Sequence, residues 1–234
     1  MAKYIRTLTV YYDANISSKE IPYFRGAVLK SMGGKANILY HNHIDTGSFR
    51  YSYPLIQYKR LGGKAAIVCI EEGADVIGQF LTEVIGTISI GERKVKLQTC
   101  KIVPARILVQ TWGKTFKYHI SRWLPLNAKN YHNYQMADNQ DDKTKLLERI
   151  LKGNLLSMLK GLGIYLESEL SLHISDIGEP RIIYNKGIGL MAFDADFQCN
   201  LSIPNNVGVG KNASIGCGVL FQIKEKQEKS IEDE

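Results

Sequence analysis

Tyr40-His41-Asn42-His43 places two imidazoles two residues apart. In extended backbone alternate side chains share a face, so His41 and His43 would stand about 6–7 Å apart along it. Imidazole titrates near neutrality and can take or give a proton at cellular pH. The nearby cations Arg50, Lys59 and Arg60 would lower that pKa and favour the neutral, basic form. Tyr51, Tyr53 and Tyr58 are interleaved with them, and cations beside flat rings suit single-stranded nucleic acid: charge for phosphates, planes for bases. A His-x-His pair is also the start of some metal sites. Here Asp45 is the nearest carboxylate, and only Asp13 and Glu20 add others within the first 64 residues. That donor set is poor for a divalent ion, so proton transfer ranks above metal binding. Two exposed loop histidines with no chemistry are the plain alternative.

A second candidate lies near the C-terminus, Asn206-Val207-Gly208-Val209-Gly210-Lys211-Asn212-Ala213-Ser214-Ile215-Gly216-Cys217-Gly218-Val219. Gly208 and Gly210 leave one face of an extended chain bare while Val207 and Val209 fill the other, and Gly216 and Gly218 repeat the pattern. A bare face admits a close neighbour, either a helix of the same protein or a chain of phosphates. The segment is no phosphate-binding P-loop, because Asn212 follows Gly210-Lys211 and Asn205 stands where the first glycine belongs. It is no dinucleotide fingerprint either, since Ala213 replaces the third glycine. Its backbone N–H groups and Lys211 are still able to bind phosphate, but by itself the segment reads first as a packed hairpin. A third cluster interleaves Lys114, Lys117, His119 and Arg122 with Trp112, Phe116, Tyr118 and Trp123. It reads as a half-buried strand with a solvated basic face, more often plain surface than a nucleic-acid site.

The charge distribution supports a polyanionic partner. Of the 234 residues, 1–64 hold ten Lys/Arg against three Asp/Glu (+7), 65–134 nine against five (+4), and the rest eleven against fifteen (−4). The 44% hydrophobic content supports a real core, and no apolar run approaches the ~20 residues of a membrane span. The first residues alternate too early for a signal sequence. Cys69, Cys100, Cys199 and Cys217 are scattered without metal spacing, which fits reduced thiols in cytoplasm.

Residues 3–12 alternate as a strand. Ser17 and Glu20 have capping-box spacing, and a helix follows with Ile21, Phe24, Val28, Leu29 and Met32 on one face, ending at Gly33-Gly34. Strands are expected at Tyr53–Lys59 and Ala65–Ile70, a helix from Glu72 to Ile85, and a hairpin of Thr87–Ile90 with Lys94–Lys101. This β-α-β-β-α-β order is the ferredoxin-like unit. Further on, strands are expected at Arg106–Gln110 and Thr115–Arg122. Residues 125–142 show no period, and a helix spans about Asp142 to Leu162. Strands follow near Ser168–Ser175, Arg181–Asn185, Leu190–Cys199 and Ile215–Ile223. The tail from 224 is charged and without core residues.

Together these features resemble the CRISPR-associated processing endoribonucleases of the RAMP superfamily, in particular the small subtype with a histidine pair in its first domain. The resemblance rests on the glycine segment, on Phe24-Arg25-Gly26-Ala27 followed by the histidines, and on Tyr53-Pro54-Leu55-Ile56-Gln57-Tyr58-Lys59. It covers residues 1–100 and 203–222; the middle matches only in element order. It implies an α+β fold of two tandem ferredoxin-like (RRM-like) domains, 1–102 and 103–223, before a charged tail at 224–234. It implies metal-independent cutting of repeat RNA in a precursor transcript, through 2′-hydroxyl attack that leaves a 2′,3′-cyclic phosphate, with no cofactor. By the same resemblance His43 is the general base and His41 the acid or a substrate-positioning group. Tyr51 bonds the scissile phosphate, with Tyr53 as the alternative. RNA contacts are expected from Arg25, Arg50, Lys59 and Arg60 in the first domain and from Gly208, Gly210, Lys211 and Gly216 in the second. The expected partner is CRISPR repeat RNA, with other proteins of the interference complex and a second copy of the chain admitted, and no membrane. A non-catalytic RNA-binding scaffold and a metal-dependent hydrolase on His41, His43 and Asp45 stay open beside it.

Overall fold

The computed structural model describes residues 2–32, 53–83, 86–185 and 187–224. His41, His43, Asp45, Arg50 and Tyr51 lie outside the described residues, as does the charged tail beyond Lys224. The first domain holds β1 (Lys3–Asn15), α1 (Ile21–Ser31), β2 (Ile56–Leu61), β3 (Lys64–Ile70), α2 (Glu72–Glu83), β4 (Gly86–Ile90), β5 (Arg93–Leu97) and β6 (Thr99–Val109). Its antiparallel sheet runs β2-β3-β1-β6. Counting β6 as the fourth strand, this is the 2-3-1-4 order of a ferredoxin-like unit. The expected hairpin is present as β4–β5, but it forms a separate two-stranded sheet. The fourth sheet strand is β6, one continuous run through residues expected to belong to two strands. β6 runs through residues 102–103, and Gln110 alone separates it from β7.

Alternation in these strands serves two cores. On β1, Val10, Tyr12 and Ala14 join Ile21, Phe24 and Val28 of α1 in one cluster, with Tyr58 of β2 and Ile67 of β3. The opposite set, Ile5, Leu61, Ala66, Val68 and Ile70, belongs to a cluster that continues into the second domain. Both faces of the sheet are thus buried, which is why β3 reads as an unbroken apolar run. Helix α1 starts with Glu20 at its N-cap. The Glu20 carboxylate accepts the Ser17 N–H at 2.8 Å, the glutamate half of the expected capping box. That bond, with the Arg93 guanidinium from the β4–β5 hairpin, holds the Glu20 carboxyl below its ordinary pKa.

The second domain contains β7 (Thr111–Trp123), α3 (Ala128–Gln135), α4 (Gln140–Gly161), β8 (Leu172–Ile177), β9 (Arg181–Asn185), β10 (Ile188–Leu201) and β11 (Val219–Gln222). Its sheet runs β11-β7-β10-β8, with β9 on the other end of β10. Taking β7, β8, β10 and β11 as the four strands, the order again is that of the ferredoxin-like unit. The connection from Leu201 to Val219, where the second helix of such a unit belongs, is instead the glycine-rich segment with one 3-10 turn, Ala213–Ile215. Helix α3 arises in the stretch without apparent period. Asn127 caps it by accepting the Asn130 N–H, and Tyr134 is its buried anchor.

Leu147, Leu151, Leu155 and Leu159 of α4 share one cluster with Ile5, Val68 and Val109 of the first domain and with Trp123, Phe193 and Phe197 of the second. A shared core predicts one cooperative transition. Leu155→Ala should cost about 2–5 kcal/mol, and circular dichroism and tryptophan fluorescence should report a single coincident unfolding curve. Two separated transitions would show that the domains fold independently.

Candidate functional site at the domain joint

The two domains meet where β2 lies against the glycine-rich segment. Tyr53, Gln57 and Lys59 all bond to that segment. The Tyr53 hydroxyl donates to Gly208 O at 2.9 Å, the Gly208 N–H donates to Gln57 Oε1 at 2.8 Å, and Lys59 Nζ donates to Ala213 O at 2.8 Å. Gln57 Nε2 in turn donates to Pro54 O, which fixes the amide. The segment is itself a tight hairpin. Val209 N–H bonds Gly218 O, Leu220 N–H bonds Val207 O, and the tip is turned by left-handed Asn212 and Gly216.

Glycine is required here by close approach. A Cβ on Gly208 would sit 2.4 Å from Lys59 Nζ and 2.9 Å from Ala213 O and Cys217 O. One on Gly216 would meet Ile21 Cδ1 of α1 at 2.5 Å, and there φ is already +83°. The valines on the opposite face, Val207, Val209 and Val219, enter the shared core. The visitors at Gly208 and Gly216 are therefore side chains of this protein's own first domain, Lys59 and Ile21.

Lys59 is 0% exposed. Burial pushes its amine down to about 7, an effect partly offset by the nearby Cys217 sulfur. Burial also raises the Cys217 thiol, with Arg122 and Lys59 pulling the other way. Tyr53 is held neutral, its phenol pushed above its ordinary value by burial. No cluster of three His, Cys, Asp or Glu side chains suited to a metal exists among the described residues, and no described helix is long and apolar enough to cross a membrane.

The family models of the Cas6b N-terminal domain and the Cas6b C-terminal domain match residues 3–106 and 110–223, either side of the joint. This chain belongs to the Cas6b family. A solved structure described as Cas6b superposes with a TM-score of 0.84 at 26% identity, over 94% of this chain and 100% of that one. A second, described as the CRISPR RNA processing endoribonuclease Cas6b, gives 0.72 at 23% identity, over 94% and 100%. A type IV Cas6 crRNA endonuclease, Csf5, gives 0.55 at 12% identity over 95% and 100%, a likeness of fold. In sequence, an uncharacterized protein of Methanocaldococcus jannaschii is 34% identical over 144 residues, 59% of this chain and 97% of that protein. The resemblance to CRISPR RNA-processing endoribonucleases and the tandem ferredoxin-like fold are both upheld.

Within this Cas6b-family chain the expected RNA contacts divide. Lys59, Gly208 and Gly216 are buried against protein, so the surface role expected of them is corrected to one of joining the domains. Lys59 and Arg60 point to opposite faces of β2. Arg60 stays exposed and donates to Ile16 O at 2.7 Å. Arg25 is half-buried, one turn after Ile21 on α1 and so on the side that meets the glycine tip. Gly210 and Lys211 are exposed at that tip. A side chain on Gly210 would collide with Asn154 Oδ1, the acceptor of the Trp123 indole N–H. Gln57 was missed at sequence level. The available signal was Tyr53, Gln57 and Lys59 recurring at odd positions of a strand whose Ile56 and Tyr58 face the other core.

The Lys59 amine gives the joint a pH signature. Its folded pKa lies below the ~10.4 of an unfolded lysine, so between the two values the unfolded chain holds the extra proton. The contribution of this group to stability then rises with pH from about 7 towards 10, by at most about 1.4 kcal/mol per pH unit. Lys59→Met should lack that component. Denaturant unfolding of both proteins at pH 7 and 9.5 should show wild type gaining relative to the variant, and equal pH slopes would rule the lowered Lys59 pKa out.

Proposed function

We propose that this chain cuts CRISPR repeat RNA in a precursor transcript, without a metal ion, by transesterification within the RNA. In the step envisaged, His43 removes the proton of the ribose 2′-hydroxyl, and the oxygen forms a bond to the adjacent phosphorus. The bond from phosphorus to the 5′-oxygen breaks, and His41 delivers a proton to that leaving oxygen. The products are a 2′,3′-cyclic phosphate and a free 5′-hydroxyl. Tyr51 donates to a phosphate oxygen, where charge builds in the transition state. The substrate supplies its own nucleophile, so no carboxylate-rich metal site is needed. Lys211, Arg25 and Arg60 hold the RNA backbone, with Gly210 leaving room beside Lys211.

The observation that carries this reading is the anchoring of Tyr53. It lies three residues before β2, and its hydroxyl is bonded to the glycine-rich segment of the second domain. His43 is ten residues before Tyr53, a contour of at most ~35 Å. Membership of the Cas6b family across both domains supports the substrate class.

Labelled repeat RNA should be cut in EDTA and give a cyclic-phosphate end, and a 2′-deoxy substitution at the scissile nucleotide should block cutting. His43→Ala should slow cleavage about 10²–10⁴-fold and leave RNA affinity nearly unchanged, whereas Lys211→Ala should weaken binding and reduce its salt dependence. A strict requirement for added divalent metal would overturn the mechanism. Tight binding with no product from the wild type would leave the scaffold reading in its place.

A further inference from the structure

At the far end of β7 the partner strand β11 stops first. The Ile223 N–H still bonds Lys117 O at 2.9 Å, but β7 runs back to Thr111 without β11 beside it. This leaves an open groove of about 720 Å³, lined by Lys114, Thr115, Phe116, Lys117, Gln222, Ile223 and Lys224. None of these residues belongs to the first domain or the glycine-rich segment, so the groove is separate from the joint. Among the described residues its lining has three lysines and no carboxylate. Lys114 Nζ is 5.4 Å from the Phe116 ring centroid, which places its charge at the aromatic wall.

Trp112 adjoins that wall, its ring 6.3 Å from Phe116 in an edge-on arrangement. The indole is 37% exposed, and its Nε1–H is fixed on Ser202 Oγ at 2.9 Å. The ring is therefore held by one edge while part of it meets solvent. Cations for phosphates beside a fixed aromatic plane favour an unpaired nucleotide over an acidic peptide, which has no use for the plane, and over a duplex, whose bases are already stacked.

We propose that this groove binds single-stranded RNA, with phosphates on Lys114, Lys117 and Lys224 and a base against Trp112. It would hold RNA that continues beyond the segment engaged at the joint, and in that respect it rests on the RNA-processing reading above. The binding itself needs no cleavage and is measured without it.

Fluorescence anisotropy of the full chain with a labelled ten-nucleotide oligouridylate tests this directly. The K114A/K117A/K224A variant should bind at least ~10-fold more weakly near 0.1 M salt, and the slope of log affinity against log salt should fall by about 2, as expected for three single-strand phosphates. Trp112→Ala should weaken binding with the slope kept. Trp112→Phe, which lacks the indole N–H but keeps a plane, should restore most of it. A control variant, K129A/K145A/K160A, removes the same charge elsewhere and should bind like wild type. Equal binding by the groove variant and wild type would overturn the proposal, as would an equal loss in the control. Loss confined to the groove variant in a protein that cuts no repeat RNA would uphold the groove and refute the proposed nuclease. Normal cutting with unchanged oligouridylate binding would do the reverse.

Discussion

The two halves of this molecule meet at a lysine amine with no access to water. Lys59 reaches from the first sheet into the second domain and donates to Ala213 O, in a space that exists because Gly208 has no side chain. Burying that amine is costly, and the cost appears as its depressed pKa. Its position is stabilised by what surrounds it: the carbonyl of Ala213, the Gln57 and Tyr53 bonds to Gly208, and the apolar cluster common to both domains. The rest of the arrangement follows from this contact. The glycine-rich segment has to run close to β2, its tip is presented next to α1, and Tyr53 is bonded to the second domain.

The second domain departs from a regular ferredoxin-like unit at the place where the joint needs it to. A helix between β10 and β11 would present a side-chain surface about 5–6 Å from its axis and hold the first sheet away. A flat hairpin of valines and glycines lets the backbone itself approach. Val207 and Val209 keep the hydrophobic contribution a helix would have made, while the glycines give up all side-chain volume on the other face. The result is a joint in which side chains of the first domain bond the backbone of the second, with Lys211 exposed at its tip.

Much of the first domain was legible because its elements are strongly periodic. β1, α1, β3 and the start of α2 fall within a few residues of their expected bounds. The hairpin was read correctly as a hairpin but wrongly as part of the sheet. Alternation reports which face a residue takes, not which strand lies beside it, and β5 and β6 are separated only by Gln98. Helix α3 was missed because one buried tyrosine makes no period; its asparagine cap was the only local mark. Lys59 is expected to contact RNA because a lysine usually meets solvent, and its alternation with Tyr53 and Gln57 opposite Ile56 and Tyr58 is the one local hint that its face of β2 is covered.

The sequence by itself determined the class of this protein. The glycine spacing, the basic N-terminal half, the histidine pair and the order of elements pointed together to a two-domain RNA-processing family, since each is a local property that survives in one dimension. Tertiary structure alone decided what the glycines and Lys59 are for. Whether a bare strand face meets a phosphate or a neighbouring sheet depends on which surface 150 residues away arrives there. That is set by the packing of two cores into one, because close approach, burial and charge desolvation belong to pairs of segments and not to either segment alone.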